Sequence, residues 1–440
     1  MRSRPTSGPR AAVRFLLGLL AGLLALQAVF LGLLVAAQAV PNRPIIDHLA
    51  AAVDSGDYGP SYTSDGFGGI ADRFTECVLL GYGVSSPDDP RSVFYRATGG
   101  PRLSACDGGA AEIARLAAGE RLVQPAGYYR YWSGYSVLTR PLLAVTDVAG
   151  VRLVVGGLFA LAGLAAFLAL ARRSGATAAT ALLAPLVLSS NVMAMPATAF
   201  SHALALAAVA AGVALAVVGA TRGVRGAVLG VAAGAALFCY VDLLTVPPMA
   251  WALSVAAAGA VVQSRWGSPG RTLRTVLATG AVWPFAFAFT WVSRWVIAAA
   301  VQGPEVFGKV GEVAGYRVGG GEVSKAFGAG LRANVGYWLQ TMPTAVPVLL
   351  AGAVVVLVAL ALGLRRHGPR SLVTFVVLGL PALVVPAWYC LLSNHSQVHA
   401  FFTYRSVPGA VGVLLLAAVV AGSRRTDRVE DARGGAPAAR

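Results

Sequence analysis

Charge is what this chain has least of. Only 12% of its 440 residues are Asp, Glu, Lys or Arg, and acids are the scarcer kind, 19 against 35 bases. A soluble domain carries about 25% charged residues, so an ordinary water-facing surface is excluded. Cysteine is scarce too: there are four, with no CxxC pair and no Cys/His spacing of a structural zinc site. No internal repeat is visible, which speaks against the inverted-repeat build of secondary transporters.

Apolar sequence is abundant instead. Hydrophobic residues make up 57% of the chain and mean hydropathy is +0.68. They stand in long runs separated by Arg-rich connectors, the pattern of an all-α polytopic membrane protein. Arginines cluster at Arg2, Arg4, Arg10 and Arg14, then at Arg172–Arg173, Arg222–Arg225, Arg265–Arg274, Arg365–Arg370 and Arg424–Arg428. Every second connector has one, which is the positive-inside distribution. It accounts for the net charge of +16 with the bilayer as partner and no nucleic acid.

About ten spans (nine to twelve) are expected. Residues 1–12 form a basic cytoplasmic start, and residues 13–39 the first helix. Ala37-Gln38-Ala39 resembles a signal cleavage site, but the apolar run exceeds the roughly 7–15 residues of a signal peptide. An uncleaved helix is expected, with a cleaved signal as the alternative. Residues 40–148 are too polar to span and read as an exocytoplasmic domain of roughly 100 residues. Residues 149–422 form the membrane core, with an outer loop at 302–341, and residues 423–440 a disordered cytoplasmic tail. The chain is then expected in the cytoplasmic (plasma) membrane with both termini on its inner, cytoplasmic side.

Cys77 and Cys106 fall in the exocytoplasmic domain, where an oxidising compartment favours a disulfide between them. Two unrelated small residues are the alternative. Cys239 and Cys390 read as apolar fillers.

The unusual polar residues gather on the same side. Asp72 and Glu76 in "ADRFTEC" share a face if helical, as general-base or metal-binding carboxylates do; plain surface charge is the alternative. "YYRYWSGYSVLTRPLL" sets Trp132 and Tyr135 beside Arg130 and Arg140, either as an interfacial belt or as a sugar platform. Asp242 is a helix cap or a functional carboxylate. His202 reads as a packing residue. Arg294 snorkels to the headgroups, binds phosphate, or pairs with Asp242. In "SNHSQVHAFFTYR", His395 and His399 stand four apart beside Asn394, Tyr404 and Arg405. The histidines would ligate a divalent cation or form a hydrogen-bonded corner. Arg405 heads a helix, where a cation opposes the macrodipole and needs an anionic partner.

"PNRPIIDHL", "DRFTECVLL", "YYRYWSGYSVLTRPLL", "YVDLLTVPP", "WVSRWV" and "NHSQVHAFFTYR" occur in an order that resembles a family of bacterial integral membrane proteins similar to GT-C glycosyltransferases. The resemblance implies a multi-helix core, a polyprenyl-phosphate-linked sugar donor and an acidic catalytic residue in the first external loop. That role would fall on Asp72, Glu76 or Asp47, although the adjacent pair of acids usual after the first helix is absent. Arg294, Arg405 and Arg140 would hold the carrier phosphate, Trp132 and Tyr135 the sugar, and an envelope glycan, lipid or protein would accept it. A flippase of lipid-linked intermediates and a non-catalytic envelope scaffold are the other classes carried.

Overall fold

The structure, a computed structural model, describes residues 8–423. Arg2, Arg4 and the charged tail expected from Arg424 onward lie outside the described residues.

The chain opens on α1 (Pro9–Ala39), which has proline at its first position, where no intrahelical donor is needed. A small folded unit follows: α2 (Asn42–Asp54), β1 (Tyr62–Ser64), β2 (Ile70–Asp72), α3 (Arg73–Leu80), α4 (Val93–Gly99), α5 (Cys106–Ala117) and α6 (Ser136–Leu143). β1 and β2 pair antiparallel with Tyr62 opposite Asp72. The Cys77–Cys106 disulfide forms as expected and joins α3 to α5, with 5.2 Å between Cα atoms. Arg140 pins the unit to α1. Its buried guanidinium donates to the carbonyls of Ala37 and Val40 and to Asn42 Oδ1, each at 2.9 Å. Carbonyls at a helix C-terminus have no intrahelical donor, so Arg140 completes that helix end.

The core comprises α7 (Val148–Ser174), α8 (Ala176–Leu188), α9 (Met195–Thr198), α10 (Phe200–Ala220), α11 (Val224–Val241), α12 (Pro247–Trp266) and α13 (Pro269–Gln302). The expected outer loop is itself helical, as α14 (Glu305–Gly319) and α15 (Ala329–Thr341). α16 (Ala345–His367), α17 (Arg370–Gly379), α18 (Val384–Leu391), α19 (Ser393–Val398), α20 (Ala400–Thr403) and α21 (Ser406–Gly422) complete the chain. A 3-10 turn at Leu380–Leu383 separates α17 from α18, where Pro381 removes a backbone donor.

The expected spans fall on helical segments. Eight of them, among the described residues, are long and apolar enough to cross a membrane, so the chain is a multi-pass membrane protein. The expectation of about ten exceeds this by two. α8 has only 13 residues. α12 has 20 but is less apolar, because it lies against α10, α13 and α21 and is built largely from Ala, Gly and Ser. Small residues permit close helix packing in membranes.

α10 and α11 meet backbone to backbone. Gly226, Gly230 and Gly234 recur every fourth residue, and a Cβ on Gly230 would stand 2.3 Å from the carbonyl oxygen of Leu215. The Arg-rich connectors share one end of the bundle: Arg265 Nη1 donates to the Thr221 carbonyl at 3.0 Å, and Arg366 Nη1 to that of Gly422 at 2.8 Å. The small unit, α14 and α15 cover the other end.

Candidate functional site

At the covered end lies a cavity of about 560 Å³. Asp72, Arg130, Arg317, His395 and His399 reach it, with Thr75 and Thr245, and Tyr62, Tyr128, Tyr131, Phe401 and Phe402 give it aromatic walls. Residues distant in sequence therefore meet, Asp72 and His395 among them.

Asp72 owes its position to the turn from β2 into α3. As N-cap of α3 it accepts from Thr75 N at 3.0 Å and from Thr75 Oγ1 at 2.6 Å, the geometry in which a carboxylate satisfies a helix start. Its Oδ2 also lies 3.0 Å from His202 Nε2. Burial alone would raise its pKa, but the hydrogen bond from His202, with those from Thr75, holds it below the usual carboxylate range. The group is a carboxylate at neutral pH.

A buried chain runs inward from there. Arg405 Nη1 lies 3.1 Å from His202 Nδ1. A guanidinium only donates, so Nδ1 accepts and Nε2 carries the hydrogen given to Asp72. Arg405 Nε donates to Asn191 Oδ1 at 2.7 Å, and Asn191 Nδ2 to Asp65 Oδ2 at 2.6 Å. The anionic partner expected for Arg405 is thus supplied twice, indirectly, by Asp72 and Asp65.

Glu76 is equally buried but serves otherwise. Asp72 precedes α3 and Glu76 sits in its first turn, and both turn to the start of α10. Glu76 Oε2 accepts from Phe200 N at 2.9 Å, and Oε1 pairs with Arg152 at 2.6 Å, which also holds Asp57. Burial pushes its pKa up against the pull of Arg152. Glu76 does not line the cavity.

His395 and His399 converge on Arg317. Its Nη1 lies 2.7 Å from His395 Nδ1 and 2.6 Å from His399 Nε2, so both nitrogens accept. His395 Nε2 then donates to the Leu244 carbonyl at 2.8 Å. Burial, then Arg317, lowers both histidines, His399 to about 4 and His395 well below the usual value. A guanidinium stands where a divalent cation would bind. Among the described residues no three His, Cys, Asp or Glu cluster as metal ligands, so the donor set does not fit such an ion. The hydrogen-bonded corner is what forms. Asn394 Nδ2 donates to the Gly320 carbonyl at 2.6 Å, and Gln397 exchanges hydrogen bonds with Ser324, fastening the Gly-rich segment beside the cavity.

The remaining candidates stand outside the cavity wall. Asp47 is exposed on α2 and pairs with Arg43 at 3.2 Å. Trp132 is buried and donates to the Thr290 carbonyl at 2.6 Å; Tyr135 is buried beside Tyr82. Arg294 is fully buried and donates to the Tyr131 carbonyl at 3.1 Å rather than pairing with Asp242. Asp242 closes the turn before α12 by accepting from Thr245 N at 2.8 Å and from Thr245 Oγ1. Tyr404 Oη accepts from Asn191 N at 3.1 Å. His202, read from sequence as packing, is the link between Asp72 and Arg405.

Sequence reasoning missed Asn191 and Asp65, and noted Arg317 only among the basic residues of the Gly-rich loop, with no role of its own. Arg317 is a lone base before "VGGG", and Asn191 ends the polar trio "SSN" between two apolar helices; either interruption was a usable signal. Comparison with protein-family models, curated proteins and solved structures gave no match.

Proposed function

We propose that the chain is a membrane transferase of the GT-C type, moving a sugar from a polyprenyl-phosphate carrier to an envelope glycan, lipid or protein. The cavity would open on the outer face of the cytoplasmic membrane, with both termini inside. One observation carries the reading. An ionised, buried carboxylate, Asp72, lines the same cavity as two guanidiniums and an aromatic wall, at the end of a bundle of apolar helices.

Each part has a task in this chemistry. Asp72 takes the proton of the acceptor hydroxyl as general base, oriented by His202. Arg130 and Arg317 hold the carrier phosphate through charge-assisted hydrogen bonds. Arg130 lies 4.7 Å from the ring centre of Tyr128 and 5.6 Å from that of Tyr131, which fixes its planar head. The same rings offer faces to a sugar, while the prenyl chain stays in the bilayer. A purely structural scaffold would need no cavity where Asp72 and His395 meet, and this favours the transferase.

The test uses cells lacking the protein, complemented with wild type or Asp72→Asn. Asn still caps α3 but has no basic carboxylate. Lipid-linked sugars should accumulate and one envelope glycan should fall with the variant. Unchanged profiles overturn the reading.

A further inference from the structure

We infer that the opposite end of the bundle holds a second site, one that binds a phosphate-bearing anion. The inference is independent of the reading of Asp72. A cavity of about 720 Å³ lies there, lined by Arg172, Arg173, Arg366, His367 and Arg370. Thr245, at the first cavity, stands two residues before α12, and Gln263, at the second, lies in its last turn. The 20 residues of α12 span about 30 Å at 1.5 Å per residue, so the two cavities are separate.

Three observations point to an anion. First, among the described residues no acid lines this cavity. From residue 148 to 426 the chain has only Asp242, Glu305, Glu312 and Glu322, and these belong to the segments around the other end. Second, the side chains of Arg172, Arg173 and Arg370 make no ion pair or hydrogen bond among the described residues, and Ser174 Oγ, closed off from solvent, has no hydrogen-bond partner. Third, α8, α13 and α17 begin here, at Ala176, Pro269 and Arg370. First-turn N–H groups carry partial positive charge and favour phosphate.

Membrane orientation explains why arginines sit at this end. It requires only positive charge in each connector, not that two connectors, α7–α8 and α16–α17, bring their arginines round one hollow. Guanidiniums on several sides of a polar cavity complement a group with two or more negative charges. A soluble phosphate or diphosphate and the headgroup of an anionic phospholipid share that chemistry.

The experiment uses the full chain in nanodiscs. Inorganic pyrophosphate is titrated calorimetrically in phosphatidylcholine discs, and retention of phosphatidylglycerol or cardiolipin is read by native mass spectrometry. Arg173→Gln/Arg370→Gln is compared with Arg222→Gln/Arg225→Gln, which removes equal charge at the same end but outside the cavity. The first pair should weaken binding at least about tenfold and the second less than about twofold. Pyrophosphate binding lost with the first pair assigns a soluble ligand; lipid retention alone lost with it assigns a headgroup. If neither ligand binds, or both pairs weaken binding equally, the site does not exist. Should the double variant not fold, Arg370→Gln alone is read in the same way.

Discussion

His202 Nε2 lies 3.0 Å from Asp72 Oδ2, joining two buried side chains 130 residues apart. The contact fixes the tautomer of the histidine and the charge of the carboxylate together. Arg405 occupies Nδ1, so the ring presents an N–H to Asp72, and a carboxylate that receives donors keeps its negative charge when buried.

Removing that donor should therefore move the acid limit of activity. In His202→Leu the largest influence holding Asp72 down is gone, and burial is left to raise it. The acid limb of the pH–rate profile should shift upward. Asp47→Asn, on an exposed acid outside the cavity, should leave the profile unmoved. Rate against pH with a lipid-linked donor measures both, and an unshifted limb in His202→Leu means that His202 does not set the charge of Asp72.

Arg405→Met should cost more stability than any surface arginine. The guanidinium is 1% exposed and stands between buried Asp65 and Asp72, reaching them through Asn191 and His202. Taking one cation from a buried network leaves uncompensated charge, at about 3–5 kcal/mol. Arg115→Met, which breaks an exposed pair with Glu120, should change little. Thermal unfolding in detergent distinguishes them; equal midpoints would remove the network from the account of stability.

The helices were legible in the sequence because apolar length and flanking arginines are local signals. The expected spans fall on helical segments, from Pro9–Ala39 to Ser406–Gly422, one of them broken by the 3-10 turn between α17 and α18. α12 shows the limit: a central helix packed through Ala and Gly loses hydropathy without losing its place. The site was legible only in part. Asp72 and His395 stand out as rare polar residues, and both reach the cavity. Nothing local says that Arg317 lies between His395 and His399, because that contact spans 78 residues and depends on how α14 folds back. Trp132 and Tyr135 belong to the same aromatic cluster as Tyr128 and Tyr131, yet only the latter two face the cavity. Composition identifies the cluster, and only packing decides which members turn inward.

The disulfide should matter to the small unit more than to the bundle. Cys77 and Cys106 are 29 residues apart, and closing a loop of that length restricts the unfolded chain by about 3–4 kcal/mol. In Cys77→Ser/Cys106→Ser, protease sensitivity between α2 and α6 should rise while the helices of the core stay protected. Because Asp72 and Glu76 flank the first turn of α3, activity should fall with it. Limited proteolysis with mass mapping checks this, and an unchanged digestion pattern would make the bridge dispensable.

Mild acid should destabilise the protein through the histidine clasp at a higher pH than that at which Asp72 titrates. His399 is lowered to about 4 from an ordinary value of 6.5, by burial first and then by the charge of Arg317, with Asp72 opposing; His395 is lowered well below its ordinary value by the same two causes. The unfolded chain then binds protons that the folded chain refuses. The stability held by these groups is fully present above about pH 6.5. It declines as pH falls toward 4, on the order of 1 kcal/mol per unit for His399. Asp72 has the same sign in a lower window: its contribution is present above the usual carboxylate range and is lost as pH falls through and below it. Unfolding midpoints should therefore drop between pH 6.5 and 4, and His399→Phe should flatten that slope while keeping the stack on Phe402, whose ring centre lies 5.0 Å from that of His399. A wild-type midpoint that stays level across this window would show that Arg317 does not hold the two rings neutral.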